Sequence, residues 1–256
     1  MTVSVAAIYS GLVLARIGAF VAVMPIFAQQ TPRMIRVSLA MALAAFYVTV
    51  VSPGWDPTMA LRGADLPPIR YAIVLLREAL IGAAMGFVFN LFLLPARVAG
   101  EFVTYQVGLN LTPQISPTGS DSAGPVTNLF EIIAALVFLV ADGHHIVLLT
   151  LHGSFVTLPL GGSNLPQAGP MVTGLGTAYE MGLLLAGPLA LCLFLLSVTL
   201  AILSRAAPQL NIYSIGFTLQ VLVVLLGGLF LLPEFVATIY AVIAHTGEAL
   251  PKYLGG

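Results

Sequence analysis

Ionisable side chains recur inside apolar runs long enough to cross a membrane, and few folds tolerate that combination. The runs extend from Val3 to Phe27, Met34 to Val51, Ile69 to Leu94, Val126 to Leu160, Met171 to Leu203 and Ile215 to Ile243. A spanning helix needs ~20 apolar residues, so about six helical segments fit. Arg16 sits mid-run in the first segment. Arg77 and Glu78 interrupt the third, Arg97 and Glu101 its continuation, Glu131 and Asp142 the fourth, Glu180 the fifth and Glu234 the last. A charge at the centre of a lipid-facing helix costs at least ~2.5–3.5 kcal/mol. Prolines at 95, 188 and 233 add predicted breaks within these helices. Repeated charges and breaks predict helices enclosed by other protein, which pairs the charges and satisfies freed backbone groups.

Composition narrows the classes further. Of 256 residues, 59% are hydrophobic and 7% charged, against about a quarter charged in ordinary soluble domains. A soluble enzyme, a secreted module and a disordered linker are all excluded on that ground. The formal charge is −1 with no basic tract, so nucleic acid has no electrostatic footprint. Lys252 is the only lysine, which removes a phosphate-cradling or mid-chain Schiff-base lysine. Cys192 is the only cysteine, which removes intrachain disulfides and cysteine zinc sites. The N-terminus lacks a basic region and a small-x-small cleavage site, so no cleaved signal is expected. No nucleophile or metalloprotease motif occurs, and no enzymatic activity or cofactor is expected. Trp55, beside prolines at the end of an apolar run, suits a membrane interface.

Small residues mark close helix packing. Ala7, Gly11, Ala15, Gly18 and Ala22 share one helical face, and Gly82 to Gly86 and Ala96 to Gly100 are small-xxx-small elements. They fit packing within one chain or against neighbouring subunits. Arg97 and Glu101 have i,i+4 spacing, whereas Arg77 and Glu78 point to different faces and need separate partners. Asp142, His144 and His145, with His152 beyond, offer imidazole and carboxylate donors for a divalent metal. The competing reading is a polar helix end broken by Gly143. From Gln106 to Ser120 the chain leaves an apolar helix for a long polar segment that keeps Leu109, Leu111 and Ile115. A loop of that length is functional or disordered; an ordinary solvent loop is the competing reading, and folding into a lumen explains the retained apolar residues better.

Four patches then resemble the R-subunit family of the flagellar export gate (FliR) and its injectisome counterpart (SctT). They are Ala15-Arg16-Ile17-Gly18 with Met24-Pro25-Ile26-Phe27, Arg77 to Gly82 with Gly86-Phe87, Ala99-Gly100-Glu101 through Leu109, and Asp142-Gly143-His144-His145 with Ser154-Phe155 and Pro159. The segment Ala207 to Phe217 is similar to the family's loop before its last helix. The Asp-Gly-His-His and Ala-Pro-Gln-Leu-Asn patches look more like the flagellar branch.

The resemblance implies an all-α fold, with about six long broken helices forming one protomer of a helical pore assembly. Residues 1–170 are implied to be P-subunit-like and 171–256 a Q-subunit-like hairpin. It implies P-type and Q-type subunits, an FlhB-like switch protein and the MS-ring as partners, in the bacterial inner membrane at the flagellar basal body. Unfolded proteins are the implied cargo. A plug loop is implied at Gly108, Leu109, Asn110, Leu111, Thr112, Pro113, Gln114, Ile115, Ser116, Pro117 and Thr118, and a switch-facing loop at Pro208, Gln209, Leu210, Asn211, Tyr213 and Gly216. Where the family has an acid before the loop proline, this chain has Ser116; Asp121 lies further on. The buried charges expected to matter are Arg16, Arg77, Glu78, Arg97, Glu101 and Asp142. The rival from another class is a small-solute or metal-ion transporter using Glu78, Asp142, His144 and His145.

Overall fold

The protein is represented by a computed structural model, which describes residues 3–24, 32–54, 67–108, 124–162, 168–207, 209 and 212–241. These residues are almost wholly helical, and no β-strand occurs among them. Helix α1 spans Val3–Val23 and α2 spans Arg33–Phe46, which passes into a π-helical turn at Tyr47–Val51. Helix α3 covers Pro68–Val107, α4 Pro125–Val140, α5 Gly143–Thr157 and α6 Ala168–Ala206. Helix α7 covers Ile212–Phe230 and α8 covers Leu232–Ala241. Four helices have membrane-spanning length and apolarity, or up to six spans if each of two bent pairs is one, as the apolar runs predict.

Punctuation explains the boundaries, with two exceptions. Pro125 occupies the first turn of α4, where its missing N–H costs nothing. Asp142 adopts a left-handed conformation with φ 55° and separates α4 from α5. Ser52, with φ 47°, ends the π turn. The α7–α8 pair bends by 57° at Leu231, just ahead of Pro233, which has no N–H to continue the ladder. Pro95 and Pro188, in contrast, lie inside continuous helices of 40 and 39 residues. Predicted breaks at these two positions do not occur. Membrane-type helices tolerate proline when neighbouring protein surrounds the freed carbonyl, and Leu91, one turn before Pro95, is buried.

The chain forms two compact units, each drawn from alternating stretches of the sequence. Among the described residues, unit 1 takes those up to Leu91 and those from Asp142 to Gly174, and unit 2 those from Phe92 to Ala141 and from Leu175 onward. In unit 1, Leu12, Val13, Ile17 and Phe20 of α1 pack with Ile81 and Met85 of α3 and with Leu151 and Phe155 of α5. Phe20 meets Phe89 edge-on, with ring centroids 5.8 Å apart. Full burial of each such side chain is worth about 1.5–3 kcal/mol in water; in lipid, close packing takes over as the driving force. Glycine makes that approach possible. A Cβ on Gly82 would collide with the Arg16 carbonyl oxygen, and one on Gly86 would lie 2.9 Å from the Phe20 carbonyl oxygen.

Unit 2 repeats the device with different residues. A Cβ on Gly100 would lie 2.5 Å from Thr127 Cα, so α3 and α4 touch backbone to backbone. One turn on, the buried hydroxyls of Thr104 and Thr127 are 3.2 Å apart, and Thr104 also donates to the Gly100 carbonyl at 2.7 Å. Gly182 of α6 fits against Val98 and the Pro95 carbonyl of α3, and Gln106 donates to the Ala190 carbonyl at 3.0 Å. The Gly82–Gly86 and Ala96–Gly100 elements therefore pack within the chain. The α1 stripe does so only at Gly11, where a Cβ would collide with the Tyr71 hydroxyl of α3; Ala7 and Ala22 are exposed, and a Cβ on Gly18 would meet nothing within 4 Å.

Candidate functional site

Arg16 and Glu78 build the polar centre of unit 1. Their side chains are 0% and 1% exposed, a placement that only mutual compensation permits. Arg16 Nε donates to Glu78 Oε2 at 2.7 Å, and Nη1 donates to the Ser154 carbonyl at 2.9 Å. Nη2 lies 2.6 Å from the same Oε2, a charge contact rather than an aligned hydrogen bond. The guanidinium carbon stands 4.6 Å from the centroid of the Phe155 ring, within cation–π range. Ser154 lies in the last turn of α5, where the helix dipole favours a cation, and its carbonyl also accepts the Leu158 N–H at 3.0 Å. Glu78 Oε1 accepts the Gly161 N–H at 3.0 Å, and Gly161 holds φ 76°, a conformation that glycine adopts without strain. One ion pair thereby ties α1, α3, α5 and the turn after α5 together.

The remaining charges are placed differently. Arg77 is half-buried beside Glu78. Arg97 Nε lies 2.8 Å from Glu131 Oε1 of α4, but 3.9 Å from Glu101 Oε1. The cross-helix carboxylate prevails over the i,i+4 neighbour, and Glu101 remains 51% exposed. Glu131→Gln should therefore lower thermal stability by up to about 1 kcal/mol, the range for partly exposed pairs, with Glu101→Gln close to neutral. Denaturation of both purified variants checks the order; equal losses would contradict the geometry.

Asp142, His144 and His145 lie together on the surface at the α4–α5 break, 73%, 51% and 65% exposed. Glu78 is committed to Arg16 and Gly161, so it does not join them. The rival transporter reading thereby loses one of its four ligands.

Of the plug segment, Gly108 is described, with φ 75° at the end of α3; Leu109 to Thr118 lie outside the described residues, as does Trp55. Of the switch-facing segment, Gln209 is exposed, and Gly216 is buried with room for a Cβ only 3.1 Å from Leu200 Cδ1. Tyr213 lies in the first turn of α7, and Pro208, Leu210 and Asn211 lie outside the described residues. Sequence reasoning missed Gly161, Thr104 and Thr127 as partners. Gly161, in a Leu-Gly-Gly-Ser-Asn turn, carried a turn signal, but nothing local points it at a carboxylate 83 residues away.

The family model described as Bacterial export proteins, family 1, matches residues 8–246. The flagellar biosynthetic protein FliR of Escherichia coli K12 is 31% identical over 215 residues, covering 82% of this chain and 78% of that protein. The FliR of Bacillus subtilis 168 is 26% identical over 226 residues, covering 83% and 81%. The surface presentation of antigens protein SpaR of Shigella flexneri is 26% identical over 147 residues, 57% of each chain. With nearly its whole length matched, the chain belongs to the FliR family of bacterial export proteins.

Proposed function

We propose that this chain is the R-type subunit of a flagellar protein export gate in the bacterial inner membrane, a non-enzymatic component of a pore for unfolded proteins. Beyond the family match, the observation that carries the reading is a charge on an uncovered helix. Only 17% of the 18-residue apolar core of α6 is buried within the chain, and Glu180 is exposed on the same helix. Against lipid that carboxylate costs at least ~2.5–3.5 kcal/mol. A protein neighbour or a water-filled lumen removes the cost.

Helix length supports the same reading. At 40 and 39 residues, α3 and α6 have contours of about 60 Å, twice the ~30 Å hydrocarbon core. Long helices of this kind suit an assembly with much of its bulk outside the bilayer. P-type and Q-type subunits would cover the apolar faces, an FlhB-like switch protein would meet the segment from Pro208 to Gly216, and the MS-ring would surround the whole. Residues 1–170 would take the P-like role and 171–256 the Q-like one. The segment from Gly108 to Thr118 would close the lumen, its leucines and isoleucine excluding water as a hydrophobic gate does. No nucleotide-binding lysine serves this chain, so the energy for export comes from other components.

Deleting the gene from its bacterium should abolish secretion of flagellar proteins, restored by the full chain. A chain lacking residues 108–118 should assemble into a gate that leaks ions across the membrane. Normal secretion without the gene contradicts the export role. A tight membrane with the shortened chain assembled removes the plug role alone.

A further inference from the structure

We propose that Asp142, His144 and His145 form a surface site for a divalent transition-metal ion of the zinc class, held by one carboxylate oxygen and two imidazole nitrogens. Asp142 Oδ1 lies 3.5 Å from His145 Nδ1 and 3.9 Å from His144 Nε2, and the three donor atoms all fall within 4.8 Å of one another. Around a tetrahedral zinc ion with bonds of about 2.0–2.2 Å, donor atoms stand roughly 3.4 Å apart. The first distance already matches, and the other two close by small side-chain rotations that these exposed residues make freely.

The backbone brings the donors together. On a continuous helix, positions two apart do not face each other, so Asp142 and His144 would diverge. The left-handed Asp142 (φ 55°) turns the chain just before α5 and removes that divergence. Asp142 occupies the N-cap of α5, where an aspartate normally accepts a backbone N–H. Here its side chain makes no capping bond and lies against the imidazoles instead. The two rings are 4.2 Å apart between centroids and tilted by 37°, and they offer opposite ring nitrogens, which lets adjacent residues chelate one ion.

Two imidazoles and a carboxylate form a borderline donor set suited to zinc rather than to magnesium or calcium. Three protein ligands leave at least one position open for water or a donor from another molecule. His152 follows His145 by seven residues, about 10.5 Å along the helix, too far to ligate the same ion. The site is independent of the export reading, and Glu78, committed to Arg16 and Gly161, takes no part.

Untagged full-length protein, stripped of metal and titrated with zinc chloride against a chromophoric chelator, tests the site. The expected result is one zinc per chain. Asp142→Asn, which tolerates the left-handed backbone, and His144→Ala should each weaken binding by at least about tenfold, the scale of losing even an outer partner. His152→Ala should bind like the parent. Circular dichroism reports that the variants keep their helices. Unchanged affinity in a His144→Ala/His145→Ala double variant, an equal loss in His152→Ala, or no zinc bound by the parent would overturn the assignment.

Discussion

Arg16→Ala or Glu78→Ala should destabilise the chain by about 3–5 kcal/mol, the cost of leaving one buried charge without its partner. Both side chains are sealed from solvent, so neither variant regains hydration without opening the unit 1 core. Arg16→Ala leaves Glu78 with the Gly161 N–H alone, and Glu78→Ala leaves the guanidinium with the Ser154 carbonyl and the Phe155 ring. Arg16→Met combined with Glu78→Leu should cost less than either single alanine variant, because it removes both charges and refills the space. Arg16→Lys should not rescue. A single ammonium cannot reproduce the planar fork that reaches Glu78 and Ser154 together. Thermal unfolding in mild detergent, followed by circular dichroism, measures the series. A double variant as unstable as the sum of the single ones would show that the two residues act separately.

Gly82→Ala should be the most damaging single-methyl change in the described helices. The added carbon would meet the Arg16 carbonyl oxygen, with the Arg16 carbonyl carbon 2.9 Å and the Phe20 nitrogen 3.1 Å away. All three atoms belong to the α1 backbone, so no side chain can swing aside. The helices must separate, and the separation occurs at the residue that carries the ion pair. Overpacking costs about 1–3 kcal/mol in ordinary cores, and weakening the Arg16–Glu78 pair adds to it. Gly18→Ala is the control. It sits on the neighbouring helix with open space around it, so it should gain up to about 1 kcal/mol of helix propensity. Comparable losses in the two variants would mean that glycine acts through the backbone alone and not through the α1–α3 approach.

The sequence made some of this visible and hid the rest for physical reasons. The helices were legible because apolar length is a one-dimensional property, and the break at Asp142-Gly143 was legible because turn chemistry is local. Pro95 and Pro188 misled because proline's local rule assumes that nothing else serves the orphaned carbonyl, and in a packed helical assembly the surroundings do. The charges within apolar runs announced that pairing was required, but not between which residues. Arg16 finds Glu78 across 62 positions, and Arg97 prefers Glu131 on another helix to Glu101 on its own. Pairing across helices depends on their packing, which only the fold supplies. The partners expected for these charges were other chains, yet for Arg16, Glu78 and Arg97 they lie within this one. Glu101 and Glu180, still exposed on apolar helices, now carry the case for neighbours.

That case is decided by weighing the particle. Co-expressed with P-type and Q-type subunits, this 26.8 kDa chain should appear in intact-complex mass spectrometry as one copy within a much heavier hetero-oligomer. A stable, monodisperse monomer in mild detergent that ignores the co-expressed subunits would contradict the account.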